Sequence, residues 1–244
     1  KIWELLERLK NYKFVLIVYC TMSNNDMNHL DARGIASQLS HPQGEEGMKV
    51  AGNMHVNNGG MIQRTIDLLD CRDQDTILEI GPGNGGYVPY LLSRAAGLRY
   101  HGVDISETMV QAALEMNSEL VAEGIAHFTL TNGLELPYAD QFFDKVYTVN
   151  TLYFWEDPQV QLREIYRVLK PGGYLSIGIR SRAFMEQLPF TQYGFRLYDA
   201  AAAIAQLEKA GFRSCKTVEE KEESMSIMGM MLEKERIIIV AEKV

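Results

Sequence analysis

The spacing of apolar and polar residues divides most of this chain into short strand-like and helix-like segments. Residues 76–80, Thr76-Ile77-Leu78-Glu79-Ile80, predict a short buried strand that runs straight into Gly81-Pro82-Gly83-Asn84-Gly85-Gly86. Residues 87–96 follow as a predicted helix, with Val88, Leu91, Leu92 and Ala95 on one face. Ahead of this unit, residues 60–69 carry Met61, Ile62, Ile66 and Leu69 at helical spacing, and residues 70–75 form a polar turn. Beyond it, residues 99–104 predict a second strand, and Ser106-Glu107 starts a helix with Met109, Val110, Ala113 and Leu114 as its buried stripe. Residues 127–130 and 143–149 predict the third and fourth strands. Asp157-Pro158 places a capping side chain before a proline at the first helical position, and Leu162, Ile165, Tyr166 and Leu169 face the sheet. Lys170-Pro171-Gly172-Gly173 ends that helix before a fifth strand at 174–179. Residues 183–196 read as a loop, a helix from Tyr198-Asp199 stops at Gly211, and residues 212–218 and 236–241 read as two more strands. Strands alternating with helices in this way point to an α/β sheet.

The ends and the composition bound the picture. Residues 1–21 join a helical stripe (Ile2, Leu5, Leu6, Leu9) to the apolar run 14–20. That run falls short of the ~20 residues a membrane span needs. No small-residue cleavage site follows it. Met22 begins a polar stretch that reads as a start. Residues 1–21 are then an extension peripheral to the fold, or a helix packed on the fold or on a second subunit of a homodimer. Residues 22–57 show few periodic signals and form either a cap over a site or a solvated connector. The organisation expected is an extension and cap at 1–57 and one domain at 58–244, which suits a chain of 244 residues. A net charge of −8 excludes a general nucleic-acid binder, which needs a basic surface. Cys20, Cys71 and Cys215 are few, odd in number and far apart, which fits a reducing, cytoplasmic compartment. No ligand spacing for a metal occurs. The Met225, Met228, Met230 and Met231 group suits core packing, a loose loop or an adaptable pocket.

Strand, glycine turn and helix is the arrangement that brings bare main chain close to a nucleotide. Gly81-x-Gly83-x-x-Gly86 fits the dinucleotide fingerprint. Glu79-x-Gly81-x-Gly83-x-Gly85 fits a second pattern, with an acid two residues ahead of the first glycine. Asp104 ends the second strand about 20 residues beyond the turn, where a carboxylate accepts ribose hydroxyls. It supports a nucleoside cofactor without choosing which.

Two further blocks choose. Residues 136–146, Leu136-Pro137-Tyr138-Ala139-Asp140-Gln141-Phe142-Phe143-Asp144-Lys145-Val146, and residues 167–175, Arg167-Val168-Leu169-Lys170-Pro171-Gly172-Gly173-Tyr174-Leu175, stand in order after the glycine turn and Asp104. Together the four motifs resemble the class I S-adenosylmethionine (SAM)-dependent methyltransferases over residues 60–242. The resemblance is closest to the small-molecule branch that includes the ubiquinone and menaquinone C-methyltransferases. It implies a Rossmann-like, seven-stranded, mostly parallel sheet with helices on both faces and the last strand antiparallel. It implies SAM as cofactor, S-adenosylhomocysteine as product and a small-molecule acceptor, with no stable membrane insertion. The implied cofactor site comprises Glu79, Gly81, Pro82, Gly83, Gly85, Asp104, Ile105, Met109, Asn132, Gly133, Leu134, Asn150 and Tyr153. Asn132 stands where many relatives have an aspartate facing the adenine amino group, and its amide oxygen can accept the same bond. Thr151 and Tyr153 are placed toward the methyl group. No catalytic base is assigned: His29, His41, His55, Tyr153 and Tyr193 are all open. The competing readings are an NAD(P)-dependent oxidoreductase and a non-catalytic SAM-binding protein. Against the former, there is no second catalytic domain and no Tyr-x-x-x-Lys pair suited to proton relay, Tyr12 and Tyr193 being followed by Leu16 and Leu197.

Overall fold

The computed structural model describes residues 30–227 and 230–244. The expectations for residues 1–21, Met22, His29 and Met228 lie outside the described residues. So does the side-chain packing expected of Met225 and Met230.

Strand β1 (Thr76–Ile80) pairs in parallel with β2 (Arg99–Asp104) on one side and β4 (Phe143–Val149) on the other. β3 (Ala126–Leu130) adds outside β2, and β5 (Leu169–Arg180) outside β4, again in parallel. β9 (Glu235–Lys243) then runs antiparallel to both β5 and β6 (Phe212–Lys221). The result is a seven-stranded sheet in the order β3-β2-β1-β4-β5-β9-β6. β7 (Met225–Ile227) and β8 (Met230–Leu232) make a separate small hairpin. The expected mostly parallel sheet with its last strand antiparallel is therefore present.

Successive side chains of a strand point to opposite faces, so each strand serves two cores. Leu78, Val103, Val146, Leu175 and Ile177 pack with Leu162 and Ile165 of α7 (Pro158–Val168) and Leu207 of α9 (Ala200–Lys209). On the other face Ile77, Tyr100 and Tyr147 pack with Ile66 of α3 (Gly59–Leu68) and with Val88 and Leu91 of α4 (Val88–Leu92). α3 also crosses β5 closely: a Cβ on Gly178 would lie 2.4 Å from the Thr65 hydroxyl, and Ser176 Oγ donates to the Thr65 carbonyl.

Three boundaries differ from expectation. The helix after the glycine turn stops at Leu92, because Arg94 N turns back to the Leu91 carbonyl and Ala96 N is taken by Asp73. β5 begins at Leu169, since the Pro171-Gly172-Gly173 stretch already lies alongside β4 through a register shift. Residues 183–196 contain α8 (Arg182–Met185) and a 3₁₀ turn at Pro189–Gln192.

The amino-terminal part is more ordered than its polarity predicts. α1 (Ala32–Ser40) is capped by Asp31, whose Oδ1 accepts from Gly34 N at 2.7 Å. α2 (Gly44–Asn57) buries only Gly47 and Val50, too narrow a stripe to show as periodicity.

At the carboxyl end of β5, an ion network ties α3 to the last strands. Arg180, whose side chain is 4% exposed, meets Glu222, and Glu222 also accepts from Arg236 at 3.0 Å. Glu220 receives Arg64 at 2.8 Å and Arg236 as well. Removing one charge of such a pair leaves its partner buried and uncompensated. Glu222→Gln should therefore lower the unfolding free energy by about 3 kcal/mol in urea titration. A loss under about 1 kcal/mol would class the pair with solvated surface bridges.

Candidate active site

β1, β2 and β4 end side by side, and the segments leaving them converge. The turn after β1 takes Gly81, Gly83 and Gly85 through φ of 73°, 57° and 67°. Only Gly takes this region freely. The three have different neighbours. A Cβ on Gly81 would meet Thr151 Cγ2 at 2.5 Å, and one on Gly85 would meet Asn117 Nδ2 at 2.7 Å. At Gly83 nothing lies within 4 Å, so the bare main chain faces open space. Pro82 packs over Gly102 of β2.

Asp104 ends β2 and is 9% exposed. Its Oδ1 accepts from Ser106 N at 2.9 Å, and its Oδ2 lies 3.4 Å from Gly83 N. Burial pushes its carboxyl above the ordinary value, while the amides of Ser106 and Gly83 and the nearby His41 pull it down. Each oxygen keeps acceptor capacity. Beside it Ile105 is 40% exposed and Leu134 53% exposed, with Gly133 (φ 74°) between them against Ile105 Cγ2. These side chains lie on the segments that follow β2 and β3.

Glu79 sits one strand over and faces the α4 side of the sheet. The hydroxyls of Tyr100 and Tyr147 both donate to its Oε2, each at 2.6 Å. Burial pushes its carboxyl up to about 7, against the two tyrosine donors, and the charge of Asp104 adds to the rise. Burial likewise drives both tyrosines well above their ordinary range.

The loop between α1 and α2 closes one side. Pro42 O accepts from Ser106 Oγ, and Gly44 N donates to Thr108 Oγ1 at 3.1 Å. His55 of α2 stacks on Tyr87 at 4.5 Å and covers Gly86, where a Cβ would meet its ring at 2.3 Å. Burial lowers its pKa, partly offset by a hydrogen bond with Asn84. The α2 helix thus lies directly against the glycine turn.

Residues 78–177 match the family model described as a methyltransferase domain. The chain is 33% identical over 130 residues to the uncharacterized methyltransferase YdaC of Bacillus subtilis, a stretch covering 53% of this chain and 69% of that one. The chain belongs to the class I SAM-dependent methyltransferases. It is also similar to the ubiquinone/menaquinone biosynthesis C-methyltransferase UbiE of Vibrio cholerae, 27% identical over 69% of this chain and 66% of the relative. Several other curated relatives are longer, and the chain spans 38% to 49% of their length. Among solved structures, a SAM-dependent methyltransferase from Aquifex aeolicus superposes with a TM-score of 0.61 at 23% identity, covering 75% of this chain and 89% of that one, and supports the fold.

The methyltransferase brings most of the sequence-predicted residues to one edge, in different states. Gly81, Gly83, Gly85, Asp104, Ile105, Gly133 and Leu134 converge as described. Met109 is 1% exposed and turns into the core behind Ser106, whose hydroxyl caps its amide. The Asn132 oxygen is taken by the amides of Leu134 at 2.9 Å and Glu135 at 3.1 Å, so it shapes its own loop. Asn150 leaves β4 in a left-handed conformation (φ 60°), uncommon outside glycine. Its Oδ1 accepts from the Tyr153 hydroxyl at 3.2 Å. Tyr153 is 2% exposed and also bonded to the Arg180 main chain, and burial drives its phenol far above the ordinary value. The Tyr-x-x-x-Lys spacing does occur once, at Tyr166 and Lys170, but there the hydroxyl bonds the Val244 carbonyl and the amine bonds Asp144. Both stand by the start of β5, at the opposite edge of the sheet. Tyr100, Tyr147 and Asn117 are contributions that sequence reasoning missed. Their pairing depends on which strands become neighbours, and no local pattern carries that.

Glu79 sets a pH dependence. Its folded-state value, about 7, lies above the ordinary 4.5, so folding takes up a proton between those values. The stability tied to Glu79 is complete below about pH 4.5 and is lost as pH rises through about 7, amounting to about 3 kcal/mol. Glu79→Gln keeps acceptors for both tyrosines and has no proton to lose. Urea unfolding at pH 5 and pH 8 should show the wild type losing more stability than this variant; parallel losses would contradict the assignment.

Proposed function

We propose that this chain transfers the methyl group of SAM to a small-molecule acceptor, with the cofactor lying across the carboxyl ends of β1, β2 and β4. The observation that carries the reading is the grouping at that edge. A nearly buried carboxylate with spare acceptor capacity (Asp104), an open stretch of main chain (Gly83) and two exposed apolar side chains (Ile105, Leu134) stand together. An adenosine with a charged tail presents the complementary parts: a diol, a flat ring and an amino acid end. The residues present therefore fit the cofactor that the family implies.

In this reading Asp104 accepts the ribose hydroxyls, and Ile105 and Leu134 cover the ring. Gly81, Gly83 and Gly85 let the main chain approach the tail. Glu79 stiffens the turn from beneath, and a cationic group nearby favours its ionised form. When bound, SAM supplies an electrophilic methyl group on a sulfonium. What this chain adds is alignment and exclusion of water. Thr151 backs Gly81, and Tyr153 holds Asn150 at the rim. With its hydroxyl bonded on two sides, Tyr153 serves as a strut and not as a base. Residues 1–57 act as extension and cap, and residues 58–244 as the SAM-binding domain, a division supported by the packing of α2 on the glycine turn. Widely spaced cysteines support a cytoplasmic setting. No described helix is long and apolar enough to cross a membrane.

Calorimetric titration with S-adenosylhomocysteine and, separately, NADH tests the reading. Adenosylhomocysteine should bind and NADH should not; the reverse would support the oxidoreductase and end this proposal. Asp104→Ala should weaken adenosylhomocysteine binding by about 1.5–3 kcal/mol, the scale of a hydrogen bond to a charged group. Unchanged affinity would remove Asp104 from the site. Gly83→Val should abolish binding, because its side chain would project into the open space where the tail lies and its left-handed φ of 57° would strain the turn; circular dichroism should show the strain confined to the turn, with the helix and sheet signal retained.

A further inference from the structure

A cavity of about 240 Å³ lies between α1 and the turn at residues 189–194. Arg33, Ser37 and Ser40 of α1 line one wall, and Phe154 and Tyr193 line the other. Its walls are linked along the chain to the proposed cofactor edge at two points. Ser40 leads directly into His41, near enough to lower the Asp104 carboxyl, and Pro42, whose carbonyl accepts from Ser106 Oγ. Phe154 lies three residues beyond Thr151, which abuts Gly81.

The two walls differ chemically. Phe154 belongs to an aromatic group, with Phe195 edge-on at 4.6 Å and Phe190 a further 5.8 Å from Phe195. Such a surface favours a flat apolar body. The opposite wall carries a cation. The Arg33 guanidinium lies over the Tyr193 ring at 4.9 Å. Among the described residues no carboxylate pairs with it, although acidic residues outnumber basic ones 32 to 24 in the chain. Stacking on the ring leaves the edge of the guanidinium, and its N–H groups, free to meet a planar anion. The Ser37 and Ser40 hydroxyls stand on the same wall.

We infer that this cavity is the acceptor subsite and that it selects a planar, apolar molecule carrying a carboxylate or similar anion, with Arg33 as the specificity-determining residue. The inference rests on the methyltransferase reading above. The tyrosine holds the guanidinium, the guanidinium holds the anion, and the aromatic wall holds the ring. Neutral ring compounds enter the same space without the charged anchor and bind more weakly.

The test uses 2-naphthoate and its neutral isostere 2-naphthamide, titrated by ligand-observed NMR against the protein saturated with S-adenosylhomocysteine. Wild type should bind the carboxylate about tenfold more tightly than the amide, the scale of one charge-assisted hydrogen bond. Arg33→Gln should bring the two within about threefold, and Arg33→Lys should restore part of the difference. Phe154→Ala should weaken both probes alike. Adenosylhomocysteine affinity and melting temperature should hold in Arg33→Gln, because that side chain is exposed and distant in sequence from the glycine turn. Failure of both probes to bind, equal affinity in the wild type, or a preference retained in Arg33→Gln overturns the inference. Failure of adenosylhomocysteine to bind the wild type overturns the methyltransferase reading instead, and the two failures are read from separate titrations.

Discussion

A single carboxylate, nearly out of water, sets the geometry of the functional edge. Asp104 is lodged between the amide that opens α5 (Glu107–Met116) on one side and the amide of Gly83 on the other. An acid buried to this degree is costly unless main-chain donors face it. Supplying those donors requires the turn after β1 to pass close to the end of β2, and that in turn requires left-handed backbone at three positions. The strand order places β1 beside β2 and makes the approach possible. One electrostatic requirement thus links turn, sheet order and helix start.

Beneath the turn a second acid is held by a different device. Glu79 faces the core with two tyrosine hydroxyls as partners, and burial raises its carboxyl further than those two donors lower it. The two acids lie on adjacent strands, and the charge of Asp104 adds to the rise at Glu79, so a positive group at this edge favours the ionised form of Glu79.

The amino-terminal helices extend the same logic. α2 packs on the glycine turn through His55, and the Pro42 carbonyl sits on the Ser106 hydroxyl. At the far end of β5, Arg180 reaches the Asn58 side chain between α2 and α3 at 3.1 Å while meeting Glu222 beyond β6. The amino-terminal helices are therefore joined to both the glycine-turn edge and the last strands.

Local chemistry sufficed for the central sheet. β1, β2 and β4 carry apolar runs because both faces are covered, and their ends coincide with Asp104, Asn150 and the glycines. Caps at Ser106, Asp157 and Asp199 mark helix starts, because a side-chain oxygen satisfying a free amide is a property of adjacent residues. What the chain alone left open depends on distant residues meeting. α2 was invisible because it buries only Gly47 and Val50, too narrow a stripe to read as a period. The use of the Asn132 oxygen within its own loop, the pairing of Glu79 with two tyrosines from flanking strands, and the stacking of Arg33 on Tyr193 follow from strand order and helix placement. Periodicity and motif spacing report which groups a residue's near neighbours leave unsatisfied; only the folded chain decides which remote group satisfies them.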